Sequence, residues 1–499
     1  MKKRNLIFAV LILFVSKSFG QAGIIDTILN KSGSFYYLDT ENYPVDDPSL
    51  PIGIFDSGIG GLTVLDAIVN YDENNNKTMS PGKDGLIDFK KEKFIYLGDQ
   101  ANMPYGNYSA EDKDGLLREH IIKDVQFMLG NNYYISENSK IPQTDKSNIK
   151  ALVIACNTAT AYGKETIENF LIEANLNIKV VGVIDAGVRG ALEKLAKDED
   201  ATIAVMATVG TVSSKGYVNT IYSQMEKLGY YGDIQVFQQG GIGIAEAVDE
   251  DSDYYDRNLN SPRDNYKGPG LKGNTKVDKT LMDIYNFDFD KNKMLCDSEN
   301  SDDCNLLQIN DAENYVRFHL VSLLEKIRNA EVKSPLKSII LGCTHYPYLT
   351  DEISNILGEL YRYKNEDGSF RYRPFMNENI ELIDPAVNTA KELFEYLQKE
   401  ELFVDEGDIQ KSEFFISVPN KDNPNIQVDK KGGFTYSYKY GRNEGEIQEY
   451  IKVVPFSRKT ISKDILDRLK NQLPFTYEII EGFNRENPKV KNLDAADRI

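Results

Sequence analysis

The sequence predicts an α/β fold in which parallel strands are wrapped by helices. From Pro51 onward, short apolar runs ending in Gly, Asn or Thr alternate with helix-like segments. These runs are rich in Val, Ile or Phe, as strands buried on both faces require. The strand candidates are 52–55, 94–97, 151–155, 180–184, 202–206, 234–237 and 338–341.

Polar segments rich in Asp, Asn, Gly, Lys and Ser separate these blocks at 71–93, 131–148, 249–310 and 363–372, and read as surface insertions without chemistry of their own. In the first, Asp72, Asn74 and Asn76 are followed by Lys77 where a calcium loop needs Gly, and no Glu falls at the twelfth position. That segment therefore reads as a solvated loop, and no metal is expected. After Leu402 the pattern suggests a β-rich piece at 414–418, 434–440 and 450–454, then an amphipathic helix near 463–473.

The chain has 499 residues, 41% hydrophobic and 27% charged, enough for a substantial core and roughly two to four domains. A net charge of -19 argues against a sequence-independent grip on nucleic acid, which needs clustered Lys and Arg. A locally positive pocket could still take an anionic small molecule.

Met1-Lys2-Lys3-Arg4 is basic, 6–15 is apolar, and Ser18-Phe19-Gly20 precedes Gln21, the pattern of a secretory signal peptide over 1–20. The apolar run is about half the roughly 20 residues a membrane-spanning helix needs. Export to the periplasm is expected, with a cytoplasmic location if this segment is not a functional signal. An oxidising compartment would permit disulfides, and Cys296 and Cys304, close together in a polar loop, suit one.

The other two cysteines sit differently. The apolar run 151–155 leads into Cys156-Asn157-Thr158, and 338–342 leads into Cys343-Thr344-His345. Each design puts a thiol at the carboxyl end of a strand, outside which ligands bind in open α/β sheets. One such Cys would read as a small core residue. Two in the same context suit stereoinversion, which needs a base on one face of a carbon and an acid on the other. A redox dithiol is the competing use, but there is no Cys-x-x-Cys. A glycine-rich strand-to-helix turn, Phe55-Asp56-Ser57-Gly58-Ile59-Gly60-Gly61-Leu62, adds an acid and a hydroxyl. It lacks both the dinucleotide spacing and the Lys-Ser/Thr of a P-loop.

These residues match a known pattern. The chain resembles the glutamate racemases of the cofactor-independent aspartate/glutamate racemase superfamily. The matching blocks are GIFDSGIGGLTVL (53–65), MPYGNYS (103–109), LVIACNTATA (152–161), VVGVIDAGVRGAL (180–192), AVMATVGTVSSKGY (204–217), ILGCTHYPYL (340–349) and LIDPAVNTA (382–390), in family order. Where the family carries a Glu in a Cys-Pro-containing segment, this chain has FQQGGIGIAEAVDE (237–250), and Glu246 is the ungapped counterpart. Asp185 stands where the family generally has a Pro.

The resemblance implies two pseudo-symmetric α/β lobes with mostly parallel sheets and the active site between them. The signal peptide would take 1–20, the first lobe 51–183 plus 385–499, and the second 184–384 with the polar insertion at about 249–310. It implies interconversion of L-glutamate and D-glutamate without a cofactor, the family supplying D-glutamate for cell-wall peptidoglycan. Cys156 would deprotonate the D-form and Cys343 the L-form, with Asp56, His345 and Glu246 assisting. Ser57, Tyr105, Gly106, Asn157, Thr158, Thr208, Thr211 and Thr344 would hold the amino-acid substrate, and a homodimer is expected. Without pyridoxal phosphate there is no electron sink, so neutral donors must stabilise an enediolate-like carboxylate. The competing readings are a racemase for aspartate or another amino acid, and an exported non-catalytic binder of acidic amino acids.

Overall fold

The computed structural model describes residues 19–499 apart from 274, 299–302 and 331. The apolar run expected to form a signal peptide lies outside these residues. Among the described residues, no helix is long and apolar enough to cross a membrane.

Among the described residues, twelve strands form the framework. In chain order they are β1 (Ile52–Asp56), β2 (Phe94–Gly98), β3 (Ala151–Ile154), β4 (Lys179–Gly182), β5 (Ala201–Ala207), β6 (Ile234–Gly240), β7 (Met294–Cys296), β8 (Leu307–Ile309), β9 (Leu336–Gly342), β10 (Met376–Ile383), β11 (Glu413–Pro419) and β12 (Ile451–Pro455). One sheet runs β12-β11-β2-β1-β3-β4 and a second runs β10-β9-β5-β6. All pairings in the two are parallel except β11 with β12. This is the mixed, mostly parallel α/β architecture that the buried apolar runs predict.

Strands β1, β2, β3 and β5 are buried along their whole length. One apolar cluster joins the two sheets, taking Ile52, Ile54 and Val153 from the first and Ile203, Val205 and Ile340 from the second. Helices Val183–Leu192 and Pro385–Lys399 pack between them. Separate clusters cover the outer faces. The shared core fixes how the carboxyl ends of the two sheets face each other.

One expectation needs correcting. Residues 434–440 are not a strand. Thr435 accepts a hydrogen bond from the Tyr438 amide and starts a short helix, Tyr436–Gly441, because a Thr cap can satisfy a free helical amide locally. Within the 249–310 insertion, β7 and β8 pair as an antiparallel hairpin closed by the Cys296–Cys304 disulfide that the nearness of these cysteines suggests, with Cα atoms 5.6 Å apart.

Candidate active site

Strand register assembles the site. Phe55 of β1 pairs with Ile154 of β3, so Asp56 and Cys156 emerge from neighbouring strand ends. Ala207 of β5 pairs with Gly342 of β9, so Thr208 and Cys343 do the same in the second sheet. The turn after β1 packs tightly against β2. A Cβ on Gly98 would stand 2.4 Å from the Gly58 carbonyl oxygen, so only glycine fits at that strand end.

On the first side, the buried Cys156 Sγ lies 3.6 Å from the Ser57 hydroxyl and accepts from the Ala159 amide at 3.4 Å, capping helix Asn157–Glu173. Burial, and then the nearby Asp56 carboxylate, push this thiol up to about 12, so it keeps its proton at neutral pH. Asp56 Oδ2 accepts from the amides of Gly61 (2.8 Å) and Gly58 (3.3 Å), which ties the glycine-rich turn to the strand end.

On the second side, the buried Cys343 Sγ lies 3.7 Å from His345 Nδ1, and Thr344 Oγ1 lies 3.4 Å from the same nitrogen. His345 Nε2 faces Asp249 Oδ1 at 3.1 Å. Burial disfavours the imidazolium, but the bonds to Asp249 and Cys343 outweigh it and raise His345 to about 10. At neutral pH this side chain is a cation 3.7 Å from the Cys343 sulfur.

Asp249 is the group that sequence reasoning missed. It begins the segment taken for a surface insertion, yet it ends helix Ile244–Val248 and so points back at the strand ends. Glu246, expected to assist catalysis, accepts from the Gly243 amide at 3.0 Å and caps the start of that helix. The imidazole contact therefore belongs to Asp249 and not to Glu246, because one turn of helix separates an N-terminal cap from the C-terminal end.

The substrate-contact candidates fall into two groups. Ser57, Asn157, Thr158, Thr208 and Thr344 carry polar side chains at or just beyond the four strand ends. Thr208 caps helix Val209–Ser214 by accepting from the Thr211 amide at 3.3 Å, and its hydroxyl bonds the buried Thr211 hydroxyl at 3.0 Å. Gly106 of the PYG segment meets this helix: a Cβ on Gly210 would lie 3.9 Å from the Gly106 Cα. Tyr105 behaves differently. Its ring is buried and its hydroxyl lies 2.6 Å from both Asp99 and Asp124, so its side chain is committed to the core.

A further residue links the halves. Tyr217, fully buried, donates to Asn157 Oδ1 at 2.9 Å, while its ring is the nearest neighbour a Cβ on Gly342 would meet, at 2.8 Å. It thus touches the residue after one thiol and the residue before the other. A cavity of about 250 Å³ opens beside Cys343, lined by Asn157, Thr344, Tyr348, Val387 and Leu473 among others.

Two thiols at the carboxyl ends of strands in two facing sheets, one beside a serine hydroxyl and one beside a charged imidazole, define a two-thiol acid/base site on a two-lobed α/β scaffold. No family model matches the chain. It is 34% identical over 308 residues to a glutamate racemase of Oceanobacillus iheyensis, covering 62% of this chain and 72% of that protein. It is also 34% identical over 311 residues to one from Aquifex pyrophilus, covering 62% of this chain and 77% of that protein. A crystal structure of a Bacillus anthracis glutamate racemase aligns with a TM-score of 0.41 at 23% identity, over 74% of this chain and 88% of that one. The chain belongs to the glutamate racemase family.

Proposed function

We propose that the protein interconverts L-glutamate and D-glutamate by proton transfer between two thiols. The observation that carries this is the pairing of Cys156 and Cys343, each at a strand end with its own polar partner. In the L-to-D direction Cys343 takes the α-proton while Cys156, which retains its proton at neutral pH, delivers one to the opposite face. His345, held by Asp249, buffers the charge at Cys343. Ser57, Asn157, Thr158, Thr208, Thr211 and Thr344 supply neutral donors for the carboxylate as it gains enediolate character. Gly106 offers backbone only, and Asp56 holds the turn that presents Ser57.

Export rests on the basic start and apolar run of the first 20 residues. The Cys296–Cys304 disulfide supports an oxidising location such as the periplasm.

The test follows α-hydrogen exchange and ellipticity in deuterium oxide with L-glutamate, D-glutamate and both enantiomers of aspartate. Racemisation of glutamate with solvent deuterium in the product is expected, and Cys156→Ser and Cys343→Ser should each abolish it. Absence of exchange with every substrate overturns the reading.

A further inference from the structure

The blocks of family resemblance end at Ala390, yet the chain continues for more than 100 residues and folds back onto the site. Two of its helices, Lys463–Gln472 and Pro474–Glu486, pack on each other. The second lies against helix Leu62–Val69, which follows the glycine-rich turn, and Thr476 donates to Asp66 there at 2.7 Å. Leu473, at the junction of the two, lines the cavity beside Cys343. From the first helix Arg468 reaches the other lobe, where its Nη1 lies 2.9 Å from Asp249 Oδ1, the same oxygen that faces His345 at 3.1 Å.

We propose that Arg468 is a positioning residue for proton transfer at Cys343: anchored on the first lobe, it fixes the Asp249 carboxylate that orients His345. The inference rests on the racemase reading for its effect on rate, but the coupling itself can be measured without it.

Three features support the assignment. Asp249 follows the last residue of a five-residue helix, and its half-buried carboxylate presents one oxygen, Oδ1, to both lobes. Among the described residues its ion-pair partners are Arg468 and His345. Arg468 is about two-thirds buried at the side chain and its helix turns Leu466 and Leu469 into the core, so the guanidinium arrives on a fixed support. The groups facing His345 and its partners are Asp249 and Cys343, with Arg468, Asp66 and Asp384 around the neighbouring Tyr348, and Glu246 near Tyr346. Arg468 is the cation among them that comes from the first lobe, and its removal takes away the anchor that holds Asp249 against His345.

The experiment compares full-length wild type, Arg468→Leu and Arg468→Lys, with Lys463→Ala as a control on the exposed face of the same helix. Positioning predicts that Arg468→Leu lowers kcat by about tenfold, since small misplacements of acid/base groups are costly. KM should stay within about twofold, and the lysine variant should recover most of the loss. In parallel, the His345 imidazole resonance is titrated by NMR. Loss of Arg468 should let Asp249 swing away, so the His345 midpoint should fall from about 10 toward 6.5. A midpoint that stays or rises overturns the proposal, because Arg468 would then be a bystander or a competitor for Asp249. So does a kcat within about twofold of wild type in the leucine variant. If wild type racemises neither glutamate nor aspartate, the racemase reading fails and the titration alone decides the coupling. If the leucine variant does not fold, Arg468→Gln carries the same comparisons.

Discussion

The Tyr217 hydroxyl donates to Asn157 Oδ1 at 2.9 Å, joining a helix of the second lobe to the residue that follows Cys156. Tyr217 starts from helix Gly216–Leu228 and lies against Gly342, directly before Cys343. The two thiols are thus spaced in part by one buried tyrosine. Removing its hydroxyl leaves the Asn157 carbonyl short of a partner and free to turn. Tyr217→Phe should lower kcat/KM for glutamate by about tenfold while the fold persists, as a positional error of this kind weakens transition-state donors. Steady-state kinetics with circular dichroism on the same sample checks both halves.

Tyr105 supplies a second prediction, which separates a core role from a substrate contact. Burial, with the charge of Asp99 next, pushes Asp124 well above the usual carboxylate range. A protonated Asp124 can donate to the Tyr105 oxygen while Tyr105 donates to Asp99, which satisfies the chain Asp124–Tyr105–Asp99 with both contacts at 2.6 Å. Tyr105→Phe breaks it and leaves two buried carboxyl groups without a mediator. The cost should be about 1–3 kcal/mol in urea unfolding, the range for stranding a buried polar group. KM for glutamate should change by less than about twofold, since the lost hydroxyl does not face the cleft.

Much of this was legible in the sequence for a physical reason. Strands buried on both faces leave continuous apolar runs, so 52–55, 94–97, 151–155 and 338–341 fall within or beside observed strands. The two thiols were legible because each follows such a run directly. Asp249 was not, because its role depends on where helix Ile244–Val248 ends, and a short acidic run reads like any solvated loop. Tyr217 lay at the edge of a recognised block, but a hydrogen bond to a residue 60 positions away has no local signature. β10 was also missed, since its alternating polar residues, exposed along one edge of the sheet, hide the apolar signal. Arg468 belongs to the same class as Asp249: only the return of the chain over the site gives it a partner.

The histidines give the last prediction its clarity, because the chain holds three: His120, His319 and His345. Burial drives His319 down to about 4, where it stays neutral between Gln239 and the Ile242 carbonyl. Burial also drives His120 down, with the nearby Arg442 charge second. His345 goes the other way, to about 10. A pH titration followed by NMR should therefore show one imidazole changing near 10 and two remaining neutral through the neutral range. The signs for stability follow by linkage. His345 binds its proton more tightly folded than unfolded, so its contribution is complete below about 6.5 and is lost as pH rises through about 10. His319 and His120 bind theirs more weakly when folded, so their contribution is present above about 6.5 and is lost as pH falls, for His319 through about 4. His345→Asn should flatten the alkaline decline between 6.5 and 10 while leaving the acid limb as it is, measured as the urea midpoint across the pH range. An unchanged alkaline limb in that variant would mean the Asp249–His345 pair does not form in solution.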